Sequence, residues 1–353
     1  MSTKKSLASM LTIEDMANGG NQKVIDAITA GPDHKKSGKL IRSLRRLNLE
    51  HTDFEYLKSL LMPLTHGYFP ASTATNIQEP IYRAVRCPEE KPYKISELGC
   101  PPPEKVKLGR ANTPGNPVFY GSAGCHSTIM ELAPNLGDRL AISKWRTKTN
   151  LHLICAGYTA EAFSAKTGLN RFESLPWVKH HASDPLSQKQ GNQLIHEFIA
   201  HEFTKKVLDK EAWNYKISAA INELILNAKS FGLKGAPAIE IAGIVYPSSP
   251  NEGNADNVAL KCEIAAEHLE FVHVQYIKIS RKSDGPAYSM LGLDFANSLS
   301  VDGTIEWHNA YPSDRIAGTD HTVRPFADRV EIVDNKNVVV GTFPTIQTPT
   351  TAS

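Results

Sequence analysis

An ordered set of side chains in this sequence could bind oxyanions and support a developing positive charge. Arg83 and Arg110 carry guanidinium groups, which bind oxyanions through two parallel hydrogen bonds. Tyr120 follows Arg110 by ten residues, ends the strand-like sequence PVFY and offers a flat apolar ring. Glu131 follows Tyr120 by eleven residues on a predicted helix and supplies a carboxylate. Each residue is ordinary when taken singly, so the argument depends on their order and spacing.

A second polar group comes far downstream. Ser248 and Ser249 follow Tyr246 and Pro247, and Asn257 comes eight residues after Ser249. Hydroxyl and amide groups of this kind can donate hydrogen bonds to phosphate or sugar oxygens.

In this order and spacing, the two groups resemble the RES domain, a family named after its Arg, Glu and Ser residues. The family pattern runs Arg-(aromatic)-Asn-x-x-Gly-x-Pro-x-x-Tyr, then an Ala-rich helix with Glu, then Pro-Ser. The matching residues are Arg83, Gly109, Arg110, Asn112, Gly115, Pro117, Tyr120, Glu131, Pro247, Ser248 and Asn257. The resemblance covers roughly residues 78–280.

The resemblance implies an NAD-consuming enzyme on a fold related to ADP-ribosyltransferases, similar to toxins of bacterial toxin–antitoxin pairs. Arg83 and Arg110 would then hold the pyrophosphate, Tyr120 the nicotinamide, and Glu131 the ribose and its developing charge. Ser248 would bind a phosphate or ribose oxygen, and Ser249 and Asn257 would complete the substrate site. NAD would be a substrate, inorganic phosphate a possible co-substrate, and a cognate antitoxin a possible protein partner; no cofactor or metal is expected.

The chain also departs from the family pattern. Ala111 stands where an aromatic residue usually follows the motif arginine, and Leu108 replaces the first of two glycines. The stretch from Glu131 to Ser248 is longer than in compact toxins, so the chain looks like an enlarged branch.

Four alternatives stay open at this stage. Hydrolysis and phosphorolysis of NAD use the same pocket, and an ADP-ribosyltransferase would only change the acceptor to a macromolecule. The departure at Ala111 motivates a non-catalytic NAD-binding module. Arg83 and Arg110 could instead pair with Glu131 in a buried structural ion network. The basic segment 34–46 could contact nucleic acid, although a solvated helix face is the more usual reading of such a run.

Several other chemistries are excluded by spacing. His196 and His201 flank Glu197 as in a zinc protease motif, but they lie five residues apart, so their side chains point about 140° apart on a helix. No phosphate-binding Gly-Lys-Ser/Thr loop and no G-x-S-x-G nucleophile motif occurs.

Composition and charge exclude further classes. With 39 basic and 37 acidic residues the formal charge is +2, which does not favour nucleic acid or a membrane as a partner. Five scattered cysteines without a C-x-x-C pair predict a reduced, cytoplasmic chain. The N-terminus does not resemble a signal peptide, and no apolar run is long enough to span a bilayer.

Hydrophobic patterning predicts an α+β fold. Leu40, Leu44 and Leu47 recur on one face of an amphipathic helix near the N-terminus, whereas residues 151–158 and 238–247 are apolar runs typical of buried strands. A helical region is expected over 188–231, and further strands over 268–279, 303–311 and 330–343. The expected organisation is a helical segment at 1–75, an ADP-ribosyltransferase-like RES domain at 76–285, a β-rich extension at 286–343 and a disordered tail at 344–353.

Overall fold

The computed structural model describes most of the chain in segments. They are residues 32–65, 68, 72–156, 158, 190–226, 240–250, 255–282, 288–308, 322–325, 329–333 and 338–344. The helices in these segments are α1 (His34–Leu44), α2 (Phe54–Thr65), α3 (Cys125–Leu132), α4 (Gln190–Thr204), α5 (Lys216–Leu226) and α6 (Cys262–His268). Short 3-10 helices lie at Ile95–Leu98, Pro103–Lys105 and Asp209–Tyr215.

Nine strands form one mixed sheet, with a separate three-stranded sheet further along the chain. The strands of the large sheet are β1 (Ser72–Ala74), β2 (Pro80–Arg86), β3 (Val118–Ser122), β4 (Arg139–Thr147), β5 (His152–Cys155), β6 (Ile241–Pro247), β7 (Asp256–Lys261), β8 (Leu269–Lys282) and β9 (Tyr288–Ala296). Their order is β1-β5-β6-β7-β3-β2-β4-β8-β9, and every neighbouring pair is antiparallel except β5–β6. The small antiparallel sheet contains β10 (Thr322–Pro325), β11 (Arg329–Val333) and β12 (Val339–Pro344).

The central strands are covered on both faces. All seven residues of β6 are buried, as expected for a strand with apolar layers on both sides. In one core cluster, buried side chains on one face of β6 and β7 pack against helices α1, α2, α4 and α5. The second cluster lies on the other face, where Leu98 of the first 3-10 helix and Ile305 of an irregular segment cover the sheet. A third, smaller cluster packs Ile129 of α3 against β2, β4 and β8.

The expected mixture of helices and strands is confirmed. Helices α1 and α2 lie within the predicted helical segment, and β5 and β6 lie in the runs that predict strands. Strand β8 begins in the predicted run 268–279 and continues three residues beyond it. The predicted strand at 303–311 is wrong over 303–308, where only isolated bridges form, Lys94 to Thr304 and Leu299 to Ile305. Gly303 has a φ of 78°, and this left-handed turn folds the segment back before a ladder can extend. Residues 309–311 and the predicted tail after 344 lie outside the described residues.

Strand β9 lies within the predicted C-terminal extension but pairs along its length with β8 of the predicted catalytic domain. The first strand of that segment therefore shares the large sheet. The domain boundaries themselves stay predictions.

The expectation that all cysteines are reduced is wrong for one pair. Cys100 and Cys262 form a disulfide across 162 residues, with their Cα atoms 5.9 Å apart. The bond joins the segment after the first 3-10 helix to the first residue of α6. Cys87, Cys125 and Cys155 are free thiols. The fold brings the bonded pair together from distant parts of the chain, which their sequence spacing does not reveal.

Candidate functional site

Glu131, Ser248 and Asn257 meet in one hydrogen-bonded cluster. Oε1 of Glu131 accepts a hydrogen bond from Oγ of Ser248 at 2.6 Å and another from Nδ2 of Asn257 at 2.6 Å. The sheet register explains the meeting, because Tyr246 of β6 pairs with Asn257 of β7 and Ser248 follows β6 directly. Glu131 reaches them from the last turn of α3. The structure therefore joins residues that are up to 126 positions apart in the chain.

Only one of the two carboxylate oxygens of Glu131 accepts hydrogen bonds from described residues. Ser248 is 0% exposed and Asn257 is 2% exposed, whereas Glu131 lies at the surface. No described residue donates a hydrogen bond to Oε2 of Glu131, and the buried Oδ1 of Asn257 has no partner in the described part of the chain. Two donors on one oxygen fix the orientation of the carboxylate. The hydrogen bonds from described residues thus all fall on one of the two oxygens.

Arg86, which has no place in the motif pattern, fixes the end of α3. Its NH2 group donates to the carbonyl oxygens of Leu132 at 2.5 Å and of Ala133 at 3.3 Å, and its NH1 group pairs with Asp138. A cation at a helix C-terminus satisfies carbonyls that have no partner within the helix. Since Glu131 lies one residue before Leu132, Arg86 helps to position it. Its place in the sequence is no signal, because its partners at the end of α3 lie 46 and 47 residues further along the chain.

Tyr120 of β3 is hydrogen-bonded to the preceding loop of residues 109–117, which we name the motif loop. Its hydroxyl donates to Oδ1 of Asn112 at 2.9 Å and accepts from the backbone N–H of Ala111 at 2.7 Å. A Cβ atom at Gly109 would lie 2.4 Å from Oδ1 of Asn112, so glycine is required there. Burial raises the pKa of Tyr120 well above its ordinary value, so the hydroxyl stays protonated. The spacing of these motif residues is thus explained by packing within the loop.

Arg110 and Ser249 both hold the C-terminal end of α4. NH1 of Arg110 donates to the carbonyl oxygen of Phe203 at 2.7 Å, and NH2 donates to that of Lys205 at 3.1 Å. The guanidinium lies 5.0 Å from the centre of the Tyr215 ring. Oγ of Ser249 donates to the carbonyl oxygen of Thr204 at 2.6 Å. These bonds cap the helix and give both residues a structural role.

Arg110→Ala is expected to lower the free energy of unfolding by about 2–3 kcal/mol, because charge-assisted bonds to buried carbonyls are lost. Urea unfolding monitored by circular dichroism measures it. Arg146→Ala is the matched control, since Arg146 pairs with Glu270 at the surface and such a pair contributes about 1 kcal/mol or less. Equal effects of the two substitutions would contradict the capping role.

Arg83 fills a gap between two strands. Its NH1 group donates to the backbone carbonyl of Tyr120 at 2.8 Å, and its guanidinium lies 5.2 Å from the centre of the Phe119 ring. Strands β2 and β3 share only one register pair, Tyr82 with Ser122, so the carbonyl of Tyr120 has no strand partner on that side. Burial lowers the pKa of Arg83 to about 10, which leaves it charged at neutral pH. Its buried Nε has no partner in the described residues.

Tyr246, which precedes the Pro-Ser pair of the motif, lies close to the candidate residues. It is buried, and burial raises its pKa well above the ordinary value. Tyr120 and Glu131 add to this effect and Arg110 opposes it, which places all three within electrostatic range of Tyr246. Arg83 and Arg110 form no ion pair with Glu131 in the described part of the chain, so the alternative of a structural ion network among these three residues is not present there.

No metal centre is found in the residues that the structure describes. The imidazole of His196 contacts the Tyr68 hydroxyl and the Tyr158 carbonyl oxygen, whereas His201 contacts Glu202. The two rings thus have separate partners, as their five-residue spacing predicts. Among the described helices, none combines the length and apolar character needed to cross a bilayer.

Comparison with known proteins gives no match among protein-family models, curated proteins or solved structures.

Proposed function

We propose that this protein cleaves the nicotinamide–ribose bond of NAD, by hydrolysis or phosphorolysis, with Glu131 as the catalytic carboxylate. The observation that carries the proposal is the geometry of Glu131, whose Oε1 is fixed by two buried donors while Oε2 has no described donor. The motif resemblance and the meeting of Glu131, Ser248 and Asn257 support it. An ADP-ribosyltransferase-like RES fold is part of the same proposal.

The chemistry suits a single carboxylate. Nicotinamide in NAD is cationic and leaves as a neutral base, so bond cleavage needs no strong general acid. The ribose becomes oxocarbenium-like, and a nearby anion stabilises that charge, as in glycoside cleavage. Oε2 of Glu131 would face the ribose and orient the attacking water or phosphate. Ser248 and Asn257 act on the carboxylate itself, which they hold in place.

The proposed roles of the arginines and Tyr120 change with the geometry. The NH1 groups of Arg83 and Arg110 donate to backbone carbonyls. These residues would therefore stabilise the pyrophosphate through their positive charge and not through bidentate hydrogen bonds. The hydroxyl of Tyr120 is committed within the motif loop, which leaves the ring as the part that can face nicotinamide.

The biological setting is also part of the proposal. The chain would act as a growth-inhibiting toxin in the cytoplasm, restrained by a cognate antitoxin protein. The disulfide between Cys100 and Cys262 is the observation against a cytoplasmic location, because cytosolic reductants keep most protein thiols reduced.

Incubating the purified protein with NAD over a range of pH, with and without phosphate, tests the proposed activity. Loss of NAD that depends on the protein is the expected result, and intact NAD under all conditions contradicts it. Transfer of radiolabelled ADP-ribose from NAD to a macromolecule, without formation of free ADP-ribose, would identify an ADP-ribosyltransferase instead.

A non-catalytic NAD-binding module is the second candidate function. The observation that favours it is the structural use of Arg110, Tyr120 and Ser249, which leaves fewer polar groups for the substrate. This candidate predicts NAD binding by calorimetry without any turnover.

A further inference from the structure

Helix α1 carries a continuous row of cations on its exposed side. Lys35, Lys39, Arg42 and Arg46 follow one another at steps of four, three and four residues, which places them within about 60° of one another around the helix axis. Arg46 lies just beyond the last residue of α1, where its backbone N–H still donates to Ser43 at 3.1 Å and continues the winding. The row is about 16 Å long at 1.5 Å per residue. These four residues are named the cationic ridge.

The ridge is exposed and has no ion-pair partner among the described residues. All four side chains are exposed, as are the flanking Lys36 and Arg45. The nearest acidic residue in sequence, Asp33, accepts a hydrogen bond from the backbone N–H of Lys36 and caps the helix. An unneutralised row of this kind creates a local positive potential, although the whole chain carries a formal charge of only +2.

The opposite side of α1 is used for packing. Ser37, Ile41 and Leu44 are buried there. Gly38 is buried at the border with the ridge, where an added Cβ would contact Leu194 of α4 at 3.5 Å and NH1 of Arg42 at 3.4 Å. A membrane-bound amphipathic helix needs its apolar side free to enter the lipid. The apolar side of α1 already packs against the core and α4, so only the charged side of the helix can contact a partner.

We propose that the cationic ridge binds the phosphate backbone of a nucleic acid without sequence preference. A straight row of evenly spaced cations suits a linear chain of phosphates, and lysine and arginine supply the charge that this contact needs. The four cations of the ridge supply charge but no arrangement of side chains that would recognise base edges, so binding depends on charge. This inference is independent of NAD cleavage, because α1 contributes none of the residues around Glu131.

Fluorescence anisotropy with a labelled 20-base-pair DNA duplex tests the proposal, with single strands of DNA and RNA of the same length as further arms. If four phosphates are neutralised, the slope of log K against log salt is expected to be about −3.6 for the duplex and about −2.8 for single strands. The duplex affinity should then fall roughly 100-fold between 50 and 200 mM salt.

The triple variant Lys39→Gln, Arg42→Gln and Arg46→Gln should lose most of this binding and reduce the duplex slope to about −1. The matched control removes three exposed cations from the sheet, through Arg139→Gln, Lys278→Gln and Arg281→Gln, and should bind like the wild type. Both triple variants should unfold at the wild-type temperature and keep the wild-type rate of NAD loss.

Equal loss of binding in both triple variants would overturn the proposal, because the contact would then reflect net charge alone. Absence of salt-dependent binding by the wild-type protein would also overturn it. So would stronger binding to vesicles of anionic phospholipid, or to an acidic peptide, than to any of the nucleic acids.

Discussion

Glu131→Gln is expected to slow nicotinamide release from NAD by about 100- to 1,000-fold, which is the cost of removing one electrostatic group aimed at a transition-state charge. Glutamine keeps the shape of the side chain, and its amide oxygen can still accept from Ser248 and Asn257. The negative charge beside the ribose is lost. The measurement is the initial rate of nicotinamide release, followed by chromatography at saturating NAD.

Two controls separate chemistry from folding in this experiment. Glu90→Gln changes an exposed glutamate and should retain the wild-type rate. The unfolding temperature of the Glu131→Gln protein should stay within a few degrees of the wild type, since the cluster keeps its donors. Full activity of Glu131→Gln would remove the catalytic role of this carboxylate.

Cys100→Ser is expected to lower the free energy of unfolding by up to about 5 kcal/mol. The disulfide closes a loop of 162 residues, and a cross-link of this span restricts the unfolded chain strongly in the chain-entropy description. It also holds the segment after the first 3-10 helix against α6, next to the core on that face of the sheet. Urea unfolding of the oxidised wild type and of the variant gives the difference.

A reductant provides the matched control for the disulfide. Dithiothreitol should destabilise the wild type by a similar amount and leave the Cys100→Ser protein unchanged. Cys125→Ser removes a free thiol that is partly buried and should have a small effect. Identical stability of the oxidised and reduced wild type would mean that the bond does not constrain the unfolded chain. Five thiols titrated after unfolding without reductant, where three are expected, would mean that it does not form.

The motif resemblance groups Glu131, Ser248 and Asn257, which the structure brings together, but it does not reveal the use of the neighbouring polar residues. The apolar run at β6 predicts that strand, whereas β7 was not predicted, and it is the register between β6 and β7 that brings Asn257 close to Ser248. The guanidinium of Arg110 predicts a contact with pyrophosphate, since this group suits oxyanions. Its partners are carbonyl oxygens at the end of α4, more than 90 residues away, and backbone acceptors of this kind leave no mark in a sequence.

The same reason explains the other differences between expectation and structure. The disulfide between Cys100 and Cys262 depends on the approach of two distant segments, and Arg86 gains its role only because α3 ends beside β2. The basic residues and an apolar face of α1 are visible in the sequence, but the packing of that face against α4 and the lack of ion pairs between the ridge and other described residues are not. Residue types therefore predicted which groups could act, whereas the tertiary contacts decide which of them are free to do so.

The most direct test of NAD cleavage is proton NMR of a mixture of the purified wild-type protein and NAD, recorded over time with and without inorganic phosphate. The account predicts that free nicotinamide accumulates in step with ADP-ribose, or with a phosphate ester of ADP-ribose that forms only when phosphate is present. Unchanged NAD spectra, from protein that circular dichroism shows to be folded, would contradict it.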